Sequence, residues 1–352
     1  MNTHPALSPA PTARIAVIGL GGTIAMQQDQ AGGGAVPALT TVPGTAPSGA
    51  LTPLPGIILE HSQVANVGSP SLEIAHVREA LTRAEAAVDA GARGAVITHG
   101  TDTLEETAFL LNRYWRRDAP LVLTGAMRPA NAPGADGPAN LHDAIRTAAS
   151  TQARGLGVLA VFDSLVHGAD RVTKVSSRSV DAFDSEPSGP LAVVGPDGIR
   201  LVYSLPPTAA RLTGPLPTQL PVVPVIGVGL CDRGEALAAL LAAGAAGGAS
   251  GAGVAGVVIN GVGMGHVPER IVPLVREATD QGVPVVVSTR IPEGGTSTYH
   301  YSYPGSEVDL INNGALMAGS LSAHKARLLL QALLASGAPR PRIDEAFAAF
   351  AY

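Results

Sequence analysis

Short, nearly continuous apolar runs alternate with longer segments of helical spacing through most of this chain, and that alternation limits its fold more than any other feature. Arg14–Leu20, Gly56–Glu60, Ala95–Thr98, Leu121–Thr124 and Leu156–Phe162 are the runs of strand type in the first half. Between them, Ile74–Val88 places Ile74, Val77, Leu81 and Ala84 on one face, with Arg78, Glu79 and Arg83 pointing elsewhere. Leu104–Trp115 and Asn140–Ala149 repeat that pattern. Strands that are apolar along their length and separated by helices predict an α/β protein, with a mainly parallel sheet covered by helices on both faces.

The periodicity stops between Ser204 and Pro221, where five prolines stand at 206, 207, 215, 217 and 221. It then resumes with strands at Val222–Val228, Val254–Ile259 and Pro284–Ser288. Helices are expected through Leu237–Leu241, around 267–281, near 322–335 and near 342–351. Two α/β domains suit a length of 352 residues. The expected division is a larger N-terminal domain over residues 1–212, a proline-rich linker over 213–221, and a smaller Rossmann-like domain over 222–352. No short-period repeat is present, which argues against a solenoid.

Composition narrows the class. At 46% hydrophobic the chain can build ordinary packed cores. A single cysteine, Cys231, rules out an internal disulfide framework and a cysteine-rich metal site. The nine histidines show no ligand spacing, so no metal is expected. A net charge of −5 without a basic run argues against nucleic acid as a partner. Residues 236–265 carry no charged side chain, but nine of the thirty are glycine; a helix, a turn and a strand fit better than a membrane span. The run Ile15–Leu20 lacks the basic and apolar regions of a secretory signal, so a cytoplasmic protein is expected.

Ligands of open parallel sheets bind outside the carboxyl ends of the strands. Those ends read Gly21-Gly22-Thr23-Ile24-Ala25, His99-Gly100-Thr101-Asp102-Thr103 and Gly125-Ala126-Met127-Arg128-Pro129, and the strand at 156–162 feeds a loop containing Arg171-Val172-Thr173-Lys174. The first loop fails as a dinucleotide cradle, because Ile24 stands where the third glycine belongs and no acidic residue follows about 20 positions on. It reads better as a nucleophile site, with Gly21 and Gly22 clearing side chains from the approach of a substrate to the backbone. A threonine hydroxyl needs a base to become a nucleophile, and Thr101, Asp102 and Lys174 can supply that assembly. Of 23 basic residues only Lys174 and Lys325 are lysine. A lysine kept where arginine is otherwise preferred marks a removable proton, or else a survivor of the compositional bias. Asp102 and Glu105 also have the spacing of a capping box, so Asp102 reads either as a site carboxylate or as a helix cap. His99 reads as a core histidine. The loop from Gly21 to Pro55, with Asp29 as its one charge, is either a lid over the strand ends or a surface insertion.

Together these segments resemble the bacterial-type asparaginase family of threonine amidohydrolases. The likeness is carried by Gly21–Ala25, Val96–Thr107, Leu123–Pro129, Ala135–Leu141 and Asp170–Lys174, and more weakly by His324-Lys325-Ala326-Arg327. It implies hydrolysis of L-asparagine to L-aspartate and ammonia. It further implies Thr23 as nucleophile, Thr101 at the amide, Lys174 as its base, and Asp102 holding both Lys174 and the substrate α-amino group. Ser69, Gly100 and Ala126 fall at the remaining substrate contacts. The resemblance implies no cofactor, no metal, and a homo-oligomer (dimer or tetramer) in which a neighbouring C-terminal domain completes each site.

The sequence also departs from the family. Its carboxylate-binding turn usually reads Gly-Ser-Gln-Asp and here reads Gly68-Ser69-Pro70-Ser71, which removes a side-chain amide from the substrate amino group. Many members carry a lid tyrosine where an ungapped count lands on Val36. Met264 and His266 stand where members often have asparagine, and the Thr296–Glu307 loop holds Tyr299, Tyr301 and Tyr303 in place of an acidic cluster. Three alternatives accompany this reading. A mixed glutaminase–asparaginase is one. The amidase subunit of a tRNA-dependent amidotransferase shares the motifs but usually carries a further N-terminal domain. A two-domain solute-binding protein would require neither Thr23 nor Lys174.

Overall fold

The computed structural model describes residues 12–28, 35–37, 54–204, 210–245 and 253–351. Most of the Gly21–Pro55 loop, and with it the lid expectation, therefore lies outside the described residues. Two compact units are present, Met1–Leu205 and Pro206–Tyr352.

The first unit is built on eight strands: β1 (Ala13–Gly21), β2 (Ile57–Val67), β3 (Gly94–Thr98), β4 (Leu121–Thr124), β5 (Val158–Phe162), β6 (Leu165–Gly168), β7 (Ala192–Gly195) and β8 (Gly198–Leu201). They form one sheet in the order β8-β7-β6-β5-β4-β3-β1-β2. β2, β1, β3, β4 and β5 pair in parallel, whereas β6, β7 and β8 extend the sheet antiparallel. Helix α3 (Gly137–Ala149) covers one face, burying Leu141, Ala144, Ile145 and Ala148 against Ile15, Val17, Val96, Val122 and Leu159. Helices α1 (Ile74–Asp89) and α2 (Leu104–Tyr114) lie side by side against the other face. Alternate residues of β1 thus enter two cores, and Ile15 and Ile18 are both fully buried.

The second unit is smaller. Its parallel sheet orders β9 (Val225–Gly227), β10 (Val257–Gly261), β11 (Val285–Thr289) and β12 (Leu316–Met317) consecutively. Helices α4 (Glu235–Ala245), α5 (Val272–Asp280), α6 (Glu307–Asn312), α7 (Ala323–Ala335) and α8 (Arg340–Ala348) surround it. The uncharged stretch at 236–265 resolves into α4 and β10, and no helix among the described residues is long and apolar enough to cross a membrane.

Two differences from the sequence reading bear on the site. The run Gly56–Glu60 is the start of an eleven-residue strand that continues to Val67, because its polar second half pairs with β1 as a half-buried edge. The chain after β5 does not pass straight to Lys174. It turns through Asp163 and Ser164, both with positive φ, and returns as β6 before reaching that lysine.

Candidate active site

Strands β1, β3 and β4 are neighbours, so their carboxyl ends deliver Thr23, Thr101 and Ala126 to one edge of the sheet. Gly21 and Gly22 adopt φ of +101° and +83°, a region that L side chains rarely enter. A Cβ on Gly22 would stand 2.3 Å from Gly100 Cα and 2.4 Å from its nitrogen, and one on Gly21 would stand 2.5 Å from the Val67 nitrogen. The room these glycines provide is thus filled by neighbouring backbone, which corrects the reading that they make way for a substrate. A Cβ on Gly100 would in turn meet Ser69 Cβ and Oγ at 2.9 Å. Backbone contact along this seam places the loops of Thr23, Thr101 and Ser69 against one another.

Lys174 completes the group. Its ammonium donates to Thr101 Oγ1 at 2.8 Å and to Asp102 Oδ1 at 2.6 Å. The lysine side chain is 16% exposed and the aspartate 63%, so the pair faces solvent on the carboxylate side. Lys174 lies in a two-residue ladder, Thr173–Lys174 against Phe183–Asp184, and Phe183 stacks on Phe162 at the end of β5 with ring centroids 4.2 Å apart. Its backbone N–H donates to Glu105 Oε2 in the first turn of α2. That bond answers the capping question. The N-cap of α2 is Thr103, without a side-chain cap bond, while Asp102 and Glu105 both turn to Lys174.

The remaining candidates are placed as follows. Thr23 opens a half-buried single turn, Thr23–Ala25, whose Ile24 packs beside Gly137. Ser69 is buried; its Oγ accepts the Thr103 N–H at 3.3 Å and its carbonyl accepts the Thr103 hydroxyl at 3.0 Å. Pro70 is exposed in the turn Ser69–Ser71. Ala126 is fully buried with its methyl toward Gly137, leaving Met127 and Arg128 to form the surface of that loop. His99 is a core histidine: Nδ1 donates to the Gly100 carbonyl at 2.6 Å and Nε2 accepts from Thr107 Oγ1 at 2.9 Å. Burial lowers its pKa to about 4, so the ring is neutral near pH 7. Lys325 is buried in α7 of the second unit. Among the described residues no three His, Cys, Asp or Glu cluster as a metal site.

Supporting residues escape a reading of motifs alone. Asp136 accepts the backbone N–H groups of Met127 and Arg128, both at 2.9 Å, and Asn140 ties Asp136 to the Gly125 carbonyl. Asn112 and the buried Arg113, both at the far end of α2, bind Asp170. The sequence signal for these was their presence inside or beside the motif blocks, without any indication of partner.

In the second unit, Glu307 is fully buried and accepts the N–H groups of His300 and Tyr301, both at 2.7 Å. His266 Nε2 donates to its other oxygen at 2.9 Å, and His266 Nδ1 accepts from the Tyr303 hydroxyl at 2.8 Å. Burial alone would raise the Glu307 carboxyl; these donors outweigh it and hold the group below its ordinary value. Tyr299, Tyr301, Tyr303 and Met264 present exposed surface.

Comparison with known proteins agrees with this architecture. Residues 14–207 match the family model described as asparaginase, N-terminal, and residues 225–347 match the glutaminase/asparaginase C-terminal domain. A probable L-asparaginase of Deinococcus radiodurans is 38% identical over 346 residues, covering 96% of this chain and 98% of that protein. L-asparaginase 2 of Escherichia coli is 33% identical over 72% of this chain and 70% of its own length. A crystal structure of a probable cytoplasmic L-asparaginase from Campylobacter jejuni superposes with a TM-score of 0.79 at 30% identity, covering 96% of this chain and 99% of that one. Fold and site thus define a two-unit α/β amidohydrolase. The chain belongs to the bacterial-type asparaginase family.

Proposed function

We propose that this protein hydrolyses the side-chain amide of L-asparagine, with Thr23 as the nucleophile. The observation that carries the reading is the contact of Lys174 with both Thr101 and Asp102, on a loop that abuts the one bearing Thr23. In the first step Thr23 Oγ1 bonds to the amide carbon and its proton passes to the departing nitrogen, which leaves as ammonia. Water then cleaves the threonine ester, releasing L-aspartate and restoring the hydroxyl. Lysine can relay a proton through Thr101, whereas arginine in its place could not. Asp102 orients the ammonium of Lys174, and its exposed side receives the substrate α-amino group. Ser69 and the backbone at Gly100 hold the substrate carboxylate. We further propose a homo-oligomer and a cytoplasmic location, the latter supported by the Campylobacter jejuni neighbour.

The test is ammonia release from L-asparagine by the purified protein, with L-glutamine as comparator. Thr23→Val and Lys174→Met should each abolish turnover while leaving the circular dichroism spectrum unchanged. Near-normal activity in either variant would refute the corresponding role.

A further inference from the structure

Asp102 holds the tip of Lys174, but the tip of a four-carbon stem is only as well placed as the backbone from which it grows. Helix α2 determines that backbone at two points. Glu105, in its first turn, takes the Lys174 N–H, and Asn112 and Arg113, in its last, bind Asp170. Arg113 is fully buried, with its guanidinium 4.6 Å from the centroid of the Phe109 ring. The segment from Asp170 to Lys174 therefore runs beside α2 from its last turn back to its first. Residues 105 to 112 span about 10 Å at the helical rise, and four residues of extended chain reach at most about 13 Å. The segment leaves Asp170 through a turn, in which the Gly168 carbonyl accepts the N–H groups of Arg171 and Val172, and is extended at Thr173–Lys174.

We propose that Glu105 is a positioning residue for the reaction: by accepting the Lys174 backbone N–H it fixes where the lysine ammonium meets Thr101. This inference rests on the assignment of Lys174 given under Proposed function. What Glu105 contributes is an acceptor oxygen at a defined place, since its partner is a neutral amide N–H. Glutamine can supply that oxygen; alanine cannot, and aspartate withdraws it by one methylene. A displacement of about 1 Å at a reacting group costs on the order of 10²-fold in rate.

The experiment is steady-state kinetics on L-asparagine with full-length Glu105→Ala, Glu105→Asp and Glu105→Gln, each checked by thermal melting and assayed at least about 15 °C below its midpoint. Glu105→Ala should lose about 10–100-fold in kcat with KM within about threefold, and Glu105→Asp should lose about tenfold. Glu105→Gln should return to within about threefold of the natural kcat. Should the alanine variant fail to fold, the Asp and Gln variants carry the comparison. A merely structural role would lower the melting temperature and leave kcat unchanged, which overturns the proposal. Loss in Glu105→Gln as large as in Glu105→Ala overturns it too. If the natural protein releases no ammonia from L-asparagine, the functional reading itself falls; an active natural protein with unaffected variants removes Glu105 alone.

Discussion

Replacing Gly22 with alanine would drive a methyl group into the backbone of the adjoining loop. The new carbon would stand 2.3 Å from Gly100 Cα, whereas carbon atoms rest at about 3.5–4.0 Å, so the loops must part by more than about 1 Å. Gly22 also sits at φ +83° and ψ −178°, a conformation that costs a residue with a side chain about 1–3 kcal/mol. Overpacking adds about 1–3 kcal/mol. The combined loss of about 2–6 kcal/mol is a large part of a typical stability of about 5–15 kcal/mol. In a unit of this size it lowers the melting temperature by about 4–24 °C. Gly56→Ala is the control, because Gly56 has φ +76° but nothing within 4 Å of a built Cβ, so it carries the cost of a positive φ without the clash. The assay is thermal unfolding by circular dichroism, with ammonia release from L-asparagine measured on the same samples. Gly22→Ala should melt well below Gly56→Ala and lose on the order of 10²-fold in kcat/KM as Thr23 moves away from Thr101. Equal melting temperatures for the two variants, with near-natural turnover, would refute the close-packed seam.

Two further outcomes are expected. Pro70→Gln should lower the KM for L-asparagine by about tenfold at unchanged kcat, the value of one hydrogen bond to a charged group. Pro70 is exposed and its turn is closed by bonds from Ser71 and Leu72, so the exchange leaves the backbone intact; a KM no lower than the natural one contradicts the expectation. Acid should destabilise the first unit through His99 and His167, whose pKa values burial lowers from 6.5 to about 4. The unfolded chain takes up these protons first as pH falls, so stability is full above pH 6.5 and is lost from there down to about 4, at about 1.4 kcal/mol per pH unit for each histidine. Urea midpoints between pH 7 and 4.5 should show this, and His167→Gln should reduce the slope; a flat profile in the natural protein argues against two buried neutral rings.

The sequence made the parallel half of the first sheet and the strand-end loops legible, because apolar runs such as Leu121–Thr124 and the glycines of the first loop are local signals. Partnerships formed across the fold were not. Asp102 and Glu105 satisfy a capping pattern by spacing, yet both carboxylates bind a lysine about seventy positions away. Nothing within ten residues of Glu105 announces that bond. The antiparallel strands β6, β7 and β8 are only four residues each, too short for alternation to stand out, so the detour before Lys174 stayed hidden. His99 was readable as a core residue, while its acceptance of the Thr107 hydroxyl required the helix to be in place.

The path of the Asp170–Lys174 segment along α2 makes the number of residues there matter as well as their type. The exposed Arg171 can be exchanged without moving either anchor, whereas Val172 is fully buried and tolerates only apolar residues of similar size. Inserting or deleting a residue between the anchors would shift the lysine by about a strand step of 3.3 Å and turn its side chain to the opposite face. The Gly195–Gly198 connection between β7 and β8 lies far along the sheet order from Thr23 and Thr101; Arg146 holds its Gly195 and Pro196 carbonyls, so a change of length there costs that contact and leaves the lysine in place. Grafted loops therefore belong at that outer hairpin, and engineering near the lysine is confined to substitutions.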